Sequence, residues 1–479
     1  MNDPIRVREA LLASLPADVA GHGHPPQPQE VYVPRAHLKA LRPEASLVVG
    51  TRGAGKSLWT MALRTPETRE ALGSAIPALT TTRVAVGFSE RQSPDDYPNA
   101  DTIRQLLKDG EEPYDLWRGV IARHLSRNVL GGEQVPLRSW GQTLQWMRSD
   151  PEGLSRLVQD ADKELATQGE QLLFVFDALD RASADWDTMD ALVRGLLQAV
   201  LWLKPQKRMY SKVFLREDQF RTPVTNFPDA SKLLATQVDL SWARHDLHGL
   251  LWQLLINGPG EHGDCLRETY HSVIGTPPKE TASGWRLPSE LQRDNPGQRA
   301  LFEALAGPWM GTDPRRGVPY VWTVSHLADG HGRTSPRSFL VAIRQAAEDS
   351  LEHYPDHPRP LHYESIKRGV RAASKVRVHE ISEVYPWVER FMGALEGMNV
   401  PCAFQRIARE WEKHFPQGPE TTADQGLPPR HTAQGWEGLR DDLLDLGIFE
   451  QRKDGRIDMP DLYRVGFGLG RKGGVPPRR

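Results

Sequence analysis

Four short, largely apolar runs mark the first half of the chain, at residues 47–50, 81–88, 171–180 and 212–218. Runs of this length, rich in Val, Leu and Phe, are typical of strands that are buried on both faces of a sheet. The segments between them carry apolar residues mostly at three- and four-residue steps, which predicts helices. This alternation of strands and helices predicts an α/β fold with a parallel sheet.

The pattern becomes helical from about residue 240. Residues 257–320 are rich in Gly, Pro and charged residues, so we expect an irregular insertion there. Helical periodicity resumes at Ser335. The last hundred residues combine helical segments with two strand-like runs on either side of Asp454 and Gly455. An Asp-Gly pair between two such runs is the strongest short signal for a β-hairpin.

The first apolar run leads into the octapeptide Gly50-Thr51-Arg52-Gly53-Ala54-Gly55-Lys56-Ser57, which fits the phosphate-binding pattern G-x-x-x-x-G-K-[ST]. Its setting also fits, because a strand is expected before it and a helix after it. Glycines let the backbone curl so that successive N–H groups face a phosphate, and a helix N-terminus adds positive potential. We expect Lys56 to contact the β- and γ-phosphates and the Ser57 hydroxyl to reach Mg²⁺.

A P-loop needs an acidic partner at the end of another buried strand. Asp177 follows the most apolar run of the chain and is the predicted Mg²⁺ ligand, directly or through water. Asp180 lies three residues further on. Two readings of Asp180 stay open: it completes the metal shell or polarises water, or it caps the next helix.

The order of these parts resembles the STAND and AAA+ initiator-type branch of P-loop ATPases: a P-loop, a strand ending in Asp177 and Asp180, and a strand ending in Arg216. Those proteins usually carry an acidic residue directly after the strand-end Asp, and this chain has Ala178 there. The resemblance covers about residues 31–375. It implies a P-loop NTPase core with a helical lid, ATP as the nucleotide, and slow hydrolysis unless Asp180 substitutes.

The resemblance also implies two arginines that read the phosphates. Arg216 takes the position from which a cation distinguishes ATP from ADP; the alternative is an ion pair with Glu217 or Asp218 on the surface. Arg337, with Arg333 as second candidate, stands at the start of the predicted lid helix, from which an arginine reaches the phosphates. The alternative there is a well-capped helix with a solvated arginine.

We therefore predict four segments along the chain. They are an N-terminal arm or linker (1–30), a P-loop ATPase core (31–239) with a helical insertion at about 89–168, a helical lid (240–375) with an irregular insertion at about 257–320, and a winged-helix-like domain with a basic tail (376–479).

Composition and charge exclude several classes of protein. The chain has 479 residues, 60 basic against 62 acidic side chains and a net charge of -2, which excludes a protein that is basic all over. Its two cysteines, Cys265 and Cys402, are too few for a disulfide scaffold or a four-cysteine zinc site. The sequence shows neither a secretory signal pattern nor an apolar run of about 18 residues. We expect a cytoplasmic protein without membrane contact.

The C-terminal module carries opposed charges. The tail from Arg464 onward has five basic residues and no acidic ones, so it is suited to DNA phosphates. The helix before the hairpin carries Asp441, Asp442 and Asp445, which makes it a poor reader of the major groove. Three readings stay open: DNA binding through hairpin and tail, a protein-interaction domain, and a basic terminus without a partner.

These observations predict a regulatory ATPase that binds ATP and Mg²⁺, hydrolyses ATP slowly to ADP and phosphate, and thereby shifts its lid and C-terminal domain. Its predicted catalytic residues are Lys56, Asp177, Asp180, Arg216 and Arg337, and its Mg²⁺ ligands are Ser57 and Asp177. One alternative is a DNA-transaction ATPase of loader or initiator type, linked to a mobile element or phage defence. Another is a nucleotide-binding scaffold that does not hydrolyse. A protein partner and a homo-oligomer are further expectations, the latter without an identified arginine finger.

Overall fold

The strands form one large sheet and two small ones in a computed structural model, which describes residues 3–17, 25–132, 134–419 and 426–471. The strands are β1 (Leu47–Val49), β2 (Thr82–Phe88), β3 (Gln171–Phe176), β4 (Met209–Leu215), β5 (Gln237–Asp239), β6 (Lys279–Thr281), β7 (Gly284–Arg286), β8 (Glu450–Gln451) and β9 (Ile457–Asp458). The first five form a parallel sheet with the order β2-β3-β4-β1-β5. The predicted α/β class is therefore confirmed.

Helices make up most of the remaining described chain. They are α1 (Pro4–Ser14), α2 (Arg35–Leu41), α3 (Lys56–Arg64), α4 (Pro66–Gly73), α5 (Ala100–Lys108), α6 (Pro113–His124), α7 (Trp140–Ser149), α8 (Pro151–Gln168), α9 (Trp186–Leu203), α10 (Thr222–Thr225), α11 (Ser231–Leu234), α12 (Arg244–Ile256), α13 (Gly260–Ile274), α14 (Pro296–Ala306), α15 (Pro319–His326), α16 (Pro336–His353), α17 (Tyr363–Val384), α18 (Pro386–Gly393), α19 (Phe404–His414), α20 (Gly435–Asp445) and α21 (Asp461–Arg464). Among the described residues, none of these helices has the length and apolar character needed to cross a bilayer.

The chain divides into two compact units. Residues 35–241 form the sheet unit, which contains the parallel sheet. Residues 1–34 and 242–479 together form the helical unit, so this unit is built from both ends of the sequence. The finer division into arm, core, lid and C-terminal domain stays a prediction.

The core of the sheet unit joins the strands to the helices of residues 89–168. Trp117 of α6 is fully buried and meets the rings of Phe88 and Phe176 edge-on, at centroid distances of 5.8 and 5.7 Å. α6 also packs closely on α9, because a Cβ atom at Gly195 would lie 2.7 Å from the backbone nitrogen of Tyr114. The helices of this stretch thus share one hydrophobic core with the sheet.

Residues 257–320 contain regular structure where the sequence suggested an irregular insertion. They carry α13, α14, α15 and the β6–β7 hairpin. Several of their glycines and prolines lie at helix ends: Gly275 ends α13 with a φ of 83°, while Pro296 and Pro319 begin α14 and α15. Proline suits the first helical position and glycine the residue after the last, so these residues punctuate short helices.

α1 is firmly attached to the helical unit. Arg8 is fully buried and donates hydrogen bonds to the carbonyl oxygens of Pro355, Pro360, His357 and Arg359 at 2.8 to 3.1 Å. Residues 4–14 of the expected arm therefore form a packed helix. Residues 18–24 of that arm lie outside the described residues.

The C-terminal module follows a winged-helix-like order of elements. α19 and α20 precede the antiparallel β8–β9 hairpin, and Cys402 forms an isolated antiparallel bridge with Ile457. Trp411 of α19 is fully buried between Phe391 and Phe449, with ring centroids 6.2 Å from each. Aromatic packing thus stabilises this small module.

Candidate nucleotide-binding site

The glycine-rich octapeptide leaves the sheet at the carboxyl end of β1, between β4 and β5. The Gly50 N–H donates to the Leu215 carbonyl at 3.1 Å, and a Cβ atom at Gly50 would lie 3.1 Å from the Leu240 Cβ. Gly53 and Gly55 have φ angles of 78° and 100°, which L-residues with side chains rarely adopt. The glycine pattern is therefore required by the backbone path of the loop.

Lys56 is the first residue of α3 and lies across this loop. Its Nζ donates hydrogen bonds to the carbonyl oxygens of Gly50 and Thr51, both at 2.8 Å. Burial lowers the pKa of the ammonium to about 8, and the charge of Asp177 opposes that shift. The loop thus holds a desolvated cation beside the N-terminus of a helix, an arrangement suited to an anion.

Asp177 follows β3 and is 5 % exposed. Its backbone N–H donates to the Phe88 carbonyl at 3.0 Å, and the nearby Ser57 hydroxyl favours the ionised form of its carboxyl group. Burial raises the pKa of this carboxyl group, while the Ala178 N–H and the Lys56 charge oppose the increase. The two predicted Mg²⁺ ligands, Ser57 and Asp177, therefore lie near each other.

The residue after Asp177 has an unusual backbone conformation. Ala178 has a φ of 55° and a ψ of 35°, in the left-handed region that costs a side-chain-bearing residue about 1 kcal/mol or more. The chain then makes a short turn through Asp180 before α9. Asp185 caps α9 by accepting a hydrogen bond from the Thr188 N–H at 2.8 Å, so the capping role considered for Asp180 is wrong.

Asp180 instead pairs with Arg216, which follows β4 and is 7 % exposed. The Nη1 of Arg216 donates to Asp180 at 3.1 Å, and its Nε and Nη2 donate to Asp218 at 3.1 and 2.7 Å. The Arg216 N–H also donates to the Gln219 side chain at 3.0 Å. Arg216 thus pairs with Asp218, as the alternative interpretation predicted, but the pair is buried and not on the surface.

The register of the sheet brings these groups to one edge. Val49 of β1 is opposite Leu215 of β4, and Phe176 of β3 is opposite Val213 of β4. The loop, Arg216 and Asp177 therefore lie side by side at the carboxyl edge of the sheet, where ligands of α/β proteins bind. Lys56, Ser57, Asp177, Asp180 and Arg216 are all in the sheet unit.

Arg337 belongs to the helical unit. It lies in the first turn of α16, where the Ser335 side chain caps the helix by accepting from the Ser338 N–H at 3.1 Å. The Nη1 of Arg337 donates to Glu380 at 2.6 Å. Arg333 lies before this helix, and its backbone N–H donates to Asp329 at 3.0 Å. The phosphate-reading roles of both arginines stay predictions.

Part of the basic tail is used inside the C-terminal module. Arg464 is fully buried and donates to Asp461 at 2.8 Å, while Arg471 donates to Asp458 and, at 3.4 Å, to Asp461. Both arginines pair with buried carboxylates, so the fully buried Arg464 cannot contact DNA phosphates, and DNA binding through the rest of the tail stays a prediction. Lys472, Arg478 and Arg479 lie outside the described residues.

The acidic helix is also partly internal. Asp442 is 5 % exposed and accepts hydrogen bonds from the His431 N–H at 3.0 Å and from its ring at 2.6 Å. Asp441 pairs with Arg440 at 2.8 Å, whereas Asp445 is exposed. The sequence could not separate these roles, because the three residues differ only in the direction that the helix gives them.

A parallel sheet with a glycine-rich loop and a strand-end Asp at its carboxyl edge defines a fold of the P-loop NTPase type. No protein-family model matches the chain, and the curated proteins contain no match to it. Solved structures from Aeropyrum pernix are similar in fold. The ORC2 protein in ADPNP–ADP complexes matches with 13% identity, 93% coverage of each chain and a TM-score of 0.42.

Two further structures from that organism show a similar likeness. The ORC1 protein in complex with DNA matches with 14% identity over 95% of this chain and 93% of its own, at a TM-score of 0.35. The ADP form of ORC2 has 12% identity, a TM-score of 0.34, and coverage of 92% and 91%. All three scores are low, so the function of this chain has to be inferred from its own residues.

Proposed function

We propose that the chain is an ATP-binding P-loop ATPase of the AAA+ initiator type, which hydrolyses ATP slowly to ADP and phosphate. The observation that carries the proposal is the assembly of Lys56, Ser57, Asp177 and Arg216 along one edge of the sheet. Two cations and a hydroxyl–carboxylate pair at a helix N-terminus match the chemistry of a triphosphate with its metal ion.

The residues fit ATP and Mg²⁺ by their own chemistry. Glycines shape the loop: a Cβ atom at Gly50 would contact Leu240, and Gly53 and Gly55 have φ angles that other residues rarely adopt. The backbone N–H groups of the loop can therefore approach a phosphate closely. Ser57 and Asp177 supply the oxygen ligands that Mg²⁺ prefers. When bound, the metal would neutralise charge on the phosphate oxygens.

Slow hydrolysis follows from the residues beside Asp177. Ala178 has no group that could accept a proton from water, and its left-handed backbone directs the chain toward Asp180. Asp180 is paired with Arg216 in this arrangement, so its carboxylate can orient water only after that pair is broken. We therefore expect the protein to act as a switch, in which ATP stays bound for longer than it would in a fast ATPase.

The helical unit contains a chain of contacts that suits a switch. Glu380 accepts from Arg337 at 2.6 Å and from Arg377 at 3.4 Å, and Arg377 donates to the hydroxyl of Tyr463 at 3.0 Å. These contacts link Arg337, through Glu380 and Arg377, to Tyr463 of the C-terminal module, so a change at Arg337 would reach that module within the helical unit.

A DNA-transaction ATPase is the second candidate. The turn between β8 and β9 exposes Arg452, Lys453 and Arg456, and α19 exposes Arg406 and Arg409. Such residues suit contacts with phosphates. This candidate predicts that DNA stimulates hydrolysis and that binding weakens steeply with salt. The third candidate, a non-hydrolysing scaffold, is favoured by Ala178 and predicts no phosphate release in a single turnover.

The Lys56→Ala variant tests the site. Loss of the ammonium should abolish measurable ATP binding in calorimetry with Mg²⁺, because Lys56 places a buried positive charge across the loop. Lys163→Ala is the matched control, since that lysine is on the exposed face of α8 and pairs with Asp160 at 3.2 Å. Normal ATP affinity in Lys56→Ala would refute the site assignment, and phosphate release by the wild-type chain separates the first candidate from the scaffold.

A further inference from the structure

The Arg216 guanidinium holds two carboxylates in different ways. Asp218 accepts from both Nε and Nη2, at 3.1 and 2.7 Å, and lies only two residues away on the same loop. Asp180 accepts from Nη1 alone, at 3.1 Å, and comes from the end of another strand, 36 residues away. A bidentate pair fixes the plane of a guanidinium, whereas a single bond does not.

The two carboxylates also differ in their access to solvent. The Asp218 side chain is 11 % exposed and the Asp180 side chain is 26 % exposed, while that of Arg216 is 9 % exposed. Asp180 is therefore both the weaker and the more accessible partner. An incoming anion would meet Arg216 on the side of Asp180.

We infer that Asp180 competes with the terminal phosphate of ATP for Arg216 and is displaced when a triphosphate binds. This rests on the proposed function. Asp218 keeps the guanidinium in place throughout, and the Nη1 edge exchanges one anion for another. A terminal phosphate carries more charge than a carboxylate and offers several acceptor oxygens, so it can win this exchange.

The exchange gives the site a way to distinguish ATP from ADP. ADP lacks the terminal phosphate, so it leaves the Arg216–Asp180 pair intact. ATP breaks the pair and frees the Asp180 carboxylate three residues from Asp177. Displacement of Asp180 reduces the net binding free energy of ATP. The ATP-bound and ADP-bound sites then differ in the partner of one residue, Arg216.

Binding of a non-hydrolysable ATP analogue and of ADP by Asp180→Asn tests the inference, with Asp218→Asn as the matched control. Both variants remove one negative charge next to Arg216. Asp180→Asn should lower the Kd for the analogue about tenfold, the worth of one charge-assisted hydrogen bond, and change the Kd for ADP by less than about twofold. Asp218→Asn should raise the Kd for the analogue, because Arg216 loses its fixed position.

The same measurement in an Arg216→Gln background separates competition from a general charge effect. Asp180→Asn should then leave the Kd for the analogue unchanged, because the guanidinium for which Asp180 and the phosphate compete is absent. Equal tightening by Asp180→Asn and Asp218→Asn, equal tightening for ADP, or a persisting effect in Arg216→Gln would each overturn the inference. Where Asp180→Asn fails to fold, Asp180→Ser provides the same comparison.

The outcome is distinguishable from a failure of the proposed function. A wild-type chain that binds neither nucleotide overturns both. A wild-type chain that binds the analogue, loses it in Lys56→Ala and shows no effect of Asp180→Asn retains the ATP site and overturns only the competition.

Discussion

Glu380 holds Arg337, with 2.6 Å between a carboxylate oxygen of Glu380 and Nη1 of Arg337. The other carboxylate oxygen lies 3.4 Å from Nη1 of Arg377, whose side chain is 6 % exposed. One carboxylate thus balances two guanidinium groups. Arg337 is therefore constrained by its own unit, and a phosphate would have to compete with Glu380 for it.

Glu380→Gln should lower the free energy of unfolding by about 3 kcal/mol, because it removes a counter-charge from the buried Arg377. Glu383→Gln on the same helix is the control. Its pair with His379, at 3.3 Å, is between side chains 53 % and 80 % exposed, and such surface pairs contribute about 0–1 kcal/mol. Urea unfolding measures both, and equal losses in the two variants would contradict the structural role of Glu380.

His37 should make the sheet unit sensitive to acid. It is fully buried, accepts a hydrogen bond from Trp59 of α3 at 3.2 Å, and burial lowers its pKa from 6.5 to about 4. The unfolded chain therefore binds this proton more tightly than the folded one. The contribution of His37 to the free energy of unfolding is fully present above about pH 6.5 and is lost as the pH falls toward 4. The loss is about 2 kcal/mol between pH 7 and pH 5.

Denaturant unfolding of wild type and His37→Gln at both pH values measures this contribution. Other groups titrate in both proteins, so only the difference between their pH dependences belongs to His37. Wild type should lose about 2 kcal/mol more than the variant between pH 7 and pH 5. Parallel pH dependences would show that His37 keeps an ordinary pKa in the folded chain.

Arg471 should stabilise the C-terminal module. Arg471→Ala should lower the free energy of unfolding by about 3 kcal/mol, because Asp458 and Asp461 are buried and lose a cation. Urea unfolding measures this loss, with a chain truncated after Arg471 as the comparison, and an unchanged free energy in Arg471→Ala would contradict the structural role.

The same truncation tests the DNA-binding candidate. It deletes three basic residues, Lys472, Arg478 and Arg479. If these contact DNA phosphates, the slope of log K against log salt should become shallower by about 2.7. An unchanged slope would restrict any DNA contact to other surfaces. Truncation from residue 464 is unsuitable, because it would also remove the buried Arg464.

Most of the sheet could be predicted from the sequence, because β1, β2 and β3 lie within the predicted runs and β4 overlaps the fourth, as a buried parallel sheet requires. β5 was missed. It has three residues, and only Val238 among them is buried, so its sequence carries no strand-like pattern. It forms because β1 has a free edge beside the loop, which is a property of the sheet and not of the segment.

The site could be predicted only as a set of separate candidates. The glycine pattern and the apolar strand predicted the loop and Asp177, but no local signal pairs Arg216 with Asp180. That pair depends on β3 and β4 being neighbours, which follows from the strand order. The pairing of Arg464 and Arg471 with buried carboxylates could not be predicted for a similar reason. The sequence does not show whether the partner of a basic side chain is a buried carboxylate or a solvent-exposed phosphate.

The attachment of α1 through Arg8 has a consequence for biosynthesis. Arg8 and Pro360 are 352 residues apart. At roughly 5–20 residues per second, a ribosome needs about 20–70 s to make the segment that receives Arg8. Residues 35–241 emerge complete well before then. The sheet unit can therefore fold first on the nascent chain, while α1 waits for the loop that buries its arginine.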